Sequence, residues 1–428
     1  MTDAVAIGVF VGAYVLIATE WVHRVVVALA GAGLMLLFGI VDAHDAFHSE
    51  ELGIDWNVVF LLFGMMVIVG VLRRTGLFEY LAIWSAKRAR GRPFGVLALL
   101  VVITAIASAL LDNVTTLLLV APVTVLITER LGAPAVPFLI AEALASNIGG
   151  TATLVGDPPN IIIGSAAGLS YVDFLANLGP IVVVLMLVYL LQVRILFRKG
   201  LTFHPERVRE LLALDEREAL LGGSLLPKAL GVLGIVTVAF VLQEPLGYEP
   251  SVVALLGAGV LLLLAGGDRI EYLRDVEWKT LAFFMGLFIM VGALVKVGVI
   301  ETLAERLIES TEGRLFLATA VLLIASAVLS SLVDNIPYVA TMVPLVGALT
   351  AAFPGDATVL WWALALGADL GGNATSIGAS ANVVAVGVAE RSGIRIRFVE
   401  FFRFGFPVAA LSVSLSLAYL WLRYFALA

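Results

Sequence analysis

Long apolar stretches recur along nearly the whole chain. They fall at about 4–19, 24–41, 56–72, 94–111, 114–128, 134–168, 173–197, 226–243, 250–266, 278–297, 314–333, 336–353, 358–389 and 399–425. A helix needs roughly 20 such residues to cross the hydrocarbon core of a bilayer. The pattern predicts an all-α polytopic membrane protein with about 10 transmembrane helices. Two features break the plain succession of spans. The pairs 94–111/114–128 and 314–333/336–353 have almost no loop between their members, and each pair meets at an Asp-Asn dipeptide. They predict two re-entrant hairpins, at about 94–130 and 314–353, whose polar tips stop inside the membrane. The runs 134–168 and 358–389 are interrupted by Gly, Asn and Thr, which predicts two broken helices.

The second half repeats the first at a fixed offset of 222 residues, without gaps from 56 to 160. Over 56–82 and 278–304, nine of 27 positions are identical, including Trp56/Trp278, Gly64/Gly286, Gly70/Gly292 and Gly76/Gly298. Further on, Asp112-Asn113 matches Asp334-Asn335, Pro122 matches Pro344, and Gly149-Gly150 matches Gly371-Gly372. Apolar bias alone gives scattered Leu and Val matches, not Trp, Asp-Asn, Gly-Gly and Pro in one register. An odd number of crossings separates the copies, so they are expected in opposite orientations. We expect an N-terminal repeat over 1–198, a cytoplasmic linker over 199–225, and a C-terminal inverted repeat over 226–428. Inverted repeats with broken helices are the mark of secondary transporters, whose site lies at the repeat interface near the bilayer midplane.

Composition agrees with lipid as the solvent. Apolar residues make up 61% of the chain and charged residues only 14%, against about 25% charged in a soluble domain. There is no Cys, which excludes disulfides, thiolate metal sites and Cys nucleophiles. Charge distribution between loops says more than the net charge of −7. Segment 73–92 holds Arg73, Arg74, Lys87, Arg88, Arg90 and Arg92, and 198–228 holds Arg198, Lys199, Arg207, Arg209, Arg217 and Lys228. Both are expected on the cytoplasmic side, as is the end marked by Arg391, Arg395, Arg397 and Arg403. Segment 42–55 has Asp42, Asp45, Glu50, Glu51 and Asp55 but no Lys or Arg, so it should face outside. Alternation then puts both termini outside, in a multi-pass protein of the plasma membrane. The N-terminus lacks a basic stretch and a cleavage site, so Val5 to Ala18 reads as a retained helix.

Two constellations carry the candidate chemistry. One is the hairpin tips, Asp112, Asn113, Thr115 and Thr116 with Asp334 and Asn335. A tip exposes helix-end groups that lipid cannot satisfy, and Asn and Thr serve those groups or coordinate an ion. The second leg of a hairpin also points its positive N-terminus at the tip. The other is the broken helices: Asn147, Gly149, Gly150, Thr151, Thr153, Asp157 and Asn160, with Asp369, Gly372, Asn373, Thr375, Ser376, Ser380 and Asn382. Gly-Gly is expected to unwind the helix and bare carbonyls that suit Na⁺, and a half-helix from Asn160 to present N–H groups to an anion. Asp157 pairs with Ala379 and Asp369 with Asn147, so the site is asymmetric in charge. Buried carboxylates are costly unless paired, protonated or ion-bound, which makes Asp112 or Asp334 the expected bearer of a coupling H⁺ or Na⁺. Glu142 reads equally as a proton carrier or a structural group. His44 and His48, four apart beside several acids, offer an external metal site if helical, against the plainer reading of a solvated acidic loop. All four His lie in loops or at span ends and there is no Walker motif, so neither an intramembrane enzyme nor ATP drive is expected. No cofactor and no nucleic-acid partner is implied.

The stretches Leu110 to Thr116 and Asn147 to Asn160, with its Gly-Asp-Pro-Pro-Asn segment, closely resemble the pink-eyed dilution (P protein) permeases. These belong to the ion transporter superfamily, with arsenite permeases, D-type sodium/proton antiporters, citrate transporters and divalent-anion/sodium symporters. The resemblance covers nearly the whole chain. It implies a homodimer built on a scaffold domain, and a transport domain that carries both hairpins and both broken helices in an elevator-like movement. It places Asn113 and Asn335 where the symporters carry tip residues that bind Na⁺ and substrate, and Thr153, Asn160, Thr375 and Asn382 in the broken-helix loops. The symporters' Ser-Asn-Thr tips are Asp112-Asn113-Val114 and Asp334-Asn335-Ile336 here, and an acid at the tip should repel a dicarboxylate. The expected function is secondary transport of a small inorganic ion coupled to H⁺ or Na⁺, with an arsenite/antimonite-type or other anion first. Na⁺/H⁺ antiport is the alternative, followed by an organic-anion symporter or a passive anion channel.

Overall fold

A computed structural model gives the structure of the chain, and describes residues 2–19, 21–49, 51–197, 215–221, 223–266 and 269–427. Most of the linker expected at 199–225, with Arg198, Lys199, Arg207, Arg209 and His204, lies outside the described residues, as does Glu50. The described residues are helical throughout, with no strand among them. Eight helices are long and apolar enough to cross a membrane, and shorter apolar helices accompany them.

The N-terminal half runs α1 (Thr2–Thr19), α2 (Arg24–Leu37), α3 (Ala43–His48), α4 (Trp56–Arg73), α5 (Leu77–Arg88), α6 (Pro93–Leu110), α7 (Asn113–Leu131), α8 (Ala135–Gly150), α9 (Pro158–Ala167) and α10 (Tyr171–Leu196). The C-terminal half runs α11 (Leu225–Val241), α12 (Pro250–Ala265), α13 (Trp278–Lys296), α14 (Val299–Ser310), α15 (Leu315–Leu332), α16 (Asn335–Ala352), α17 (Val359–Gly371), α18 (Ser380–Arg391) and α19 (Phe398–Trp421). Each hairpin, α6–α7 and α15–α16, turns in two residues, and its Asp caps the second leg. Each broken helix, α8–α9 and α17–α18, is interrupted where the sequence breaks its apolar run.

Two details of the breaks differ from expectation. The first half-helix begins at Pro158, not Asn160, because proline is well placed in a first turn, where its missing N–H has no intrahelical partner. Gly149 and Gly150 remain helical, and the chain unwinds only after them. What the glycines supply is room. A Cβ on Gly149 would lie 2.2 Å from the Ala105 carbonyl oxygen, and one on Gly371 would lie 2.3 Å from Ala327 Cα. The broken helix and the first hairpin leg therefore touch backbone to backbone in both halves, as small residues permit between membrane helices.

Equivalent contacts recur at the 222-residue offset. Arg74 at the end of α4 pairs with Asp275 at 2.9 Å, and Lys296, its counterpart, pairs with Asp45 at 2.6 Å. Gly64 on α4 meets Ala254 of α12, and Gly286 on α13 meets Ala28 of α2. The partners are exchanged between halves. The α2 helix packs on α13 and α12 on α4, while α9 lies against α16 and α18 against α7. Each half buries part of its apolar surface against the other, so the two halves interlock.

His44 and His48 do fall on one short helix, stacked with ring centroids 5.4 Å apart. No cluster of three or more metal-capable side chains occurs among the described residues. Gly149→Ala should overpack the α6–α8 contact, costing about 1–3 kcal/mol or more, whereas a Cβ on Gly231 meets nothing within 4 Å. Thermal unfolding in detergent should therefore show a marked loss for Gly149→Ala and little change for Gly231→Ala. Equal melting of the two would remove the close approach.

Candidate functional site at the meeting of two hairpin tips

The two tips converge on one carboxylate. Asp157, the residue before α9, is fully buried. Asn113 of the first tip donates to Asp157 Oδ2 at 2.6 Å, and Asn335 of the second tip donates to both of its carboxylate oxygens at 3.3 Å. Each Asn is the first residue of a second leg, set in place by the Asp cap before it. Asp112 accepts from the Thr115 N–H at 2.7 Å and from the Thr115 hydroxyl. Asp334 Oδ1 accepts from the Ile336 N–H at 3.1 Å.

Asn147, on α8, joins the halves. Its Oδ1 accepts from Asn113 at 3.1 Å, and its Nδ2 donates to Asn373 Oδ1 at 2.9 Å and Asn382 Oδ1 at 3.0 Å. Asn160 and Asn382 do other work than an open cation cage would require. Asn160 Nδ2 donates to the Gly150 and Thr153 carbonyls, and Asn382 Nδ2 to those of Gly372 and Thr375. The carbonyls expected to be bare in the breaks are thus served by an amide from the next half-helix, as lipid-depth backbone requires. Thr153 and Thr375 tie the same loops to the hairpins through the Ala109 and Ser331 carbonyls, each at 2.6 Å. Ser108 and Ser330 do likewise through Ser146 and Ala368, at 2.7 Å and 2.6 Å.

Several polar atoms at this centre remain without partners. They include the Oδ1 atoms of Asn113, Asn335 and Asn160 and both carboxylate oxygens of the fully buried Asp369. Asp369 is an electrostatic neighbour of Asp157, with Thr151 and Asn335 close by. Thr151 spends its hydroxyl on the Asn147 carbonyl at 2.8 Å. No Lys or Arg hydrogen-bonds to Asp157 or Asp369 among the described residues. Two buried carboxylates and three free amide oxygens, with the unpartnered Asn373 Nδ2 beside them, offer oxygen atoms of the kind that a proton or a hard cation takes.

Of the expected residues, Asn113, Asn147, Asp157, Asn335, Asp369, Asn373 and Asn382 gather here, with Gly149, Gly150 and Gly372 forming the backbone around them. Thr116 is buried with its hydroxyl unpartnered. Ser376 sits half-exposed at the rim. Ser380 lies apart from the centre, donating to Asp334 at 2.5 Å. Glu142 is fully buried on α8, where Thr124 donates to it at 2.7 Å. Sequence reasoning missed Arg24. It opens α2 and donates to Asp334 Oδ2 at 2.8 Å and to Ser380 Oγ at 3.3 Å. A lone Arg opening an apolar run between His23 and Val25 was the available signal.

A bundle of helices long and apolar enough to cross a membrane, with two hairpins and two broken helices around a buried polar centre, is the architecture of a membrane transporter. The chain belongs to the citrate transporter family (CitMHS), which it matches over residues 14–367. It is 53% identical to an "uncharacterized transporter" of Mycobacterium tuberculosis, over 99% of each chain. It is 51% identical to a "46 kDa membrane protein" of Mycobacterium leprae, also over 99% of each. The human P protein is 35% identical across 97% of this chain and 59% of its own length. Among solved structures, the YdaH transporter of Alcanivorax borkumensis shares the fold at a TM-score of 0.58, covering 91% of this chain and 88% of that one, at 14% identity.

Replacing Asn147 by Ala should leave the Asn373, Asn382 and Asn113 amides short of a partner. A loss of about 1–3 kcal/mol per buried group left unpaired is expected. Asn147→Ala and Asn382→Ala should be clearly non-additive in a double-mutant cycle read by thermal unfolding. Additive losses would show that the bridge between halves carries no coupling.

Proposed function

We propose that this chain is a secondary active transporter of a small anion, driven by H⁺ or Na⁺ bound at the Asp157–Asp369 centre. One observation carries the reading: two fully buried carboxylates lie together with no cationic partner among the described residues. Burying one uncompensated carboxylate costs several kcal/mol, and a second nearby adds repulsion. A proton or a hard cation with oxygen ligands removes that cost, and either can couple transport to an ion gradient. Asp112 and Asp334, also candidates for this role, are each committed to a helix cap, and Asp334 to Arg24 as well.

The two halves act as inverted repeats in a homodimer of the plasma membrane, with both termini outside. The hairpins and broken helices move together, as an elevator, against the remaining helices. Substrates to be weighed are arsenite- or antimonite-type ions, other inorganic anions, and citrate, for which the family is named. Asp334 is not a bare charge facing an anion, because Arg24 and Ser380 engage its carboxylate. Na⁺/H⁺ antiport is a second reading favoured by the same pair of carboxylates, which would then exchange the two cations without an anion.

Purified protein in proteoliposomes separates these. Uphill uptake of an anion, driven by an imposed pH or Na⁺ gradient, is expected. Asp157→Asn and Asp369→Asn should each lower driven uptake by more than about tenfold, because a site carboxylate contributes several kcal/mol. Strictly downhill flux indifferent to both gradients would end the coupling reading. Gradient-driven Na⁺ and H⁺ exchange with no added anion would favour antiport.

A further inference from the structure

Outside the buried centre lies a wide vestibule of about 800 Å³. Its wall includes His23 and Arg24 at the start of α2, Glu277 and Lys279 at the start of α13, and Arg391 at the end of α18. Its floor includes Val114 of the first tip and Asp334 of the second. Glu277 is engaged by the Thr280 hydroxyl at 2.9 Å. Lys279 and Arg391 form no ion pair among the described residues. With Arg24 set against Asp334, and either Lys279 or Arg391 set against Glu277, one cation remains in excess. A concave, low-dielectric wall focuses that field and concentrates anions.

Arg24 is the group through which an anion there can act on the transporter. Its guanidinium is braced over the Phe283 ring, 5.3 Å from the centroid. One nitrogen, Nη1, reaches both Asp334 and Ser380. Arg24 thus joins α2 to the tip of the second hairpin and to the first turn of the half-helix α18. The pair is half-exposed on its Arg side, at 32%, and faces the cavity. Among the described residues, nothing equivalent exists at the first tip. There the counterpart of Ser380 is Pro158, which has no hydroxyl, and Asp112 is closed by Thr115 on its own helix.

We propose that this vestibule docks an oxyanion or carboxylate, which takes Arg24 from Asp334 and so unlatches the second hairpin from α2. The inference rests on the anion-transport reading above and adds where the anion first binds and how its arrival is sensed. Asp334 is then an internal competitor for the same cation. Bidentate recognition suits Arg and a two-oxygen ligand, and Lys279 and Arg391 supply further charge.

The competition gives opposite signs for two substitutions. Binding of citrate and of inorganic phosphate to the full chain in nanodiscs is measured by calorimetry without any ion gradient, at ionic strength held constant with chloride. Arg24→Gln and Lys279→Gln should each weaken binding by about tenfold, and Arg24→Lys by less. Asp334→Asn keeps a helix cap, since Asn caps well, and should tighten binding. The tightening should vanish in the Arg24→Gln/Asp334→Asn double variant. Which of the two probes binds decides between carboxylate and inorganic oxyanion. No binding of either probe by the unaltered chain, unchanged affinity in Arg24→Gln, or weakening in Asp334→Asn would overturn the proposal. If Arg24→Gln does not fold, Arg24→Lys and Asp334→Asn carry the same test. Because no gradient is used, failure here is separable from failure of coupling at Asp157 and Asp369.

Discussion

Asp157 is buried without a cationic partner among the described residues, and the amides that hold it come from the tips of both hairpins. That arrangement makes the position of each hairpin depend on the other. A hairpin that withdrew alone would leave a carboxylate short of a hydrogen bond in a place where water is scarce, at a cost of several kcal/mol. The surrounding packing supports the same constraint. Backbone contact at Gly149 and Gly371 ties each broken helix to its own hairpin, and the cross-packing of α9 on α16 and α18 on α7 ties the two copies together. The polar centre is therefore carried by one block of structure, as the proposed elevator movement requires.

The sequence exposed much of this because the same physical problem is solved twice. Asp-Asn at a short turn, Gly-Gly before a break, and Asn ten residues after the second Gly recur at one offset. Each recurrence corresponds to a fixed task. The Asp caps a helix, the Gly admits a neighbouring backbone, and the Asn serves carbonyls left by the break. Residue type and spacing are enough to find such local tasks. They were not enough to tell an ion ligand from a backbone satisfier. Asn160 and Asn382 look alike in either role, and only the direction of the side chain separates them.

What stayed hidden was whatever joins distant elements without a repeated pattern. Arg24 meets Asp334 across 310 positions of sequence, and its place in the first half has no charged counterpart in the second. Asn147 reaches Asn373 and Asn382 because its helix faces the opposite break, which hydropathy does not report. The exchange of α2 and α12 between halves was likewise invisible, since both are ordinary apolar runs. Here packing complementarity, set by Ala28 against Gly286 and Ala254 against Gly64, decides the partner.

On the inverted-repeat reading proposed above, the departures from symmetry are where direction enters. Perfectly matched inverted halves would make the two faces of the membrane equivalent, with no built-in difference between them. Among the substitutions within the repeat that break that equivalence are Asp157 against Ala379, Asp369 against Asn147, and Pro158 against Ser380. The first two put the carboxylates on opposite breaks, both close to Asn335 of the second tip. The third puts a hydroxyl beside Asp334 and none beside Asp112, so only the second tip is joined to α2 through Arg24. One tip is fastened within its own helix and the other to a neighbouring element, through a half-exposed ion pair of the kind that ions in solution compete for. A repeat supplies two arms of one design, and the residues at which their polar centres differ set the tip held by Arg24 apart from the tip held by Thr115.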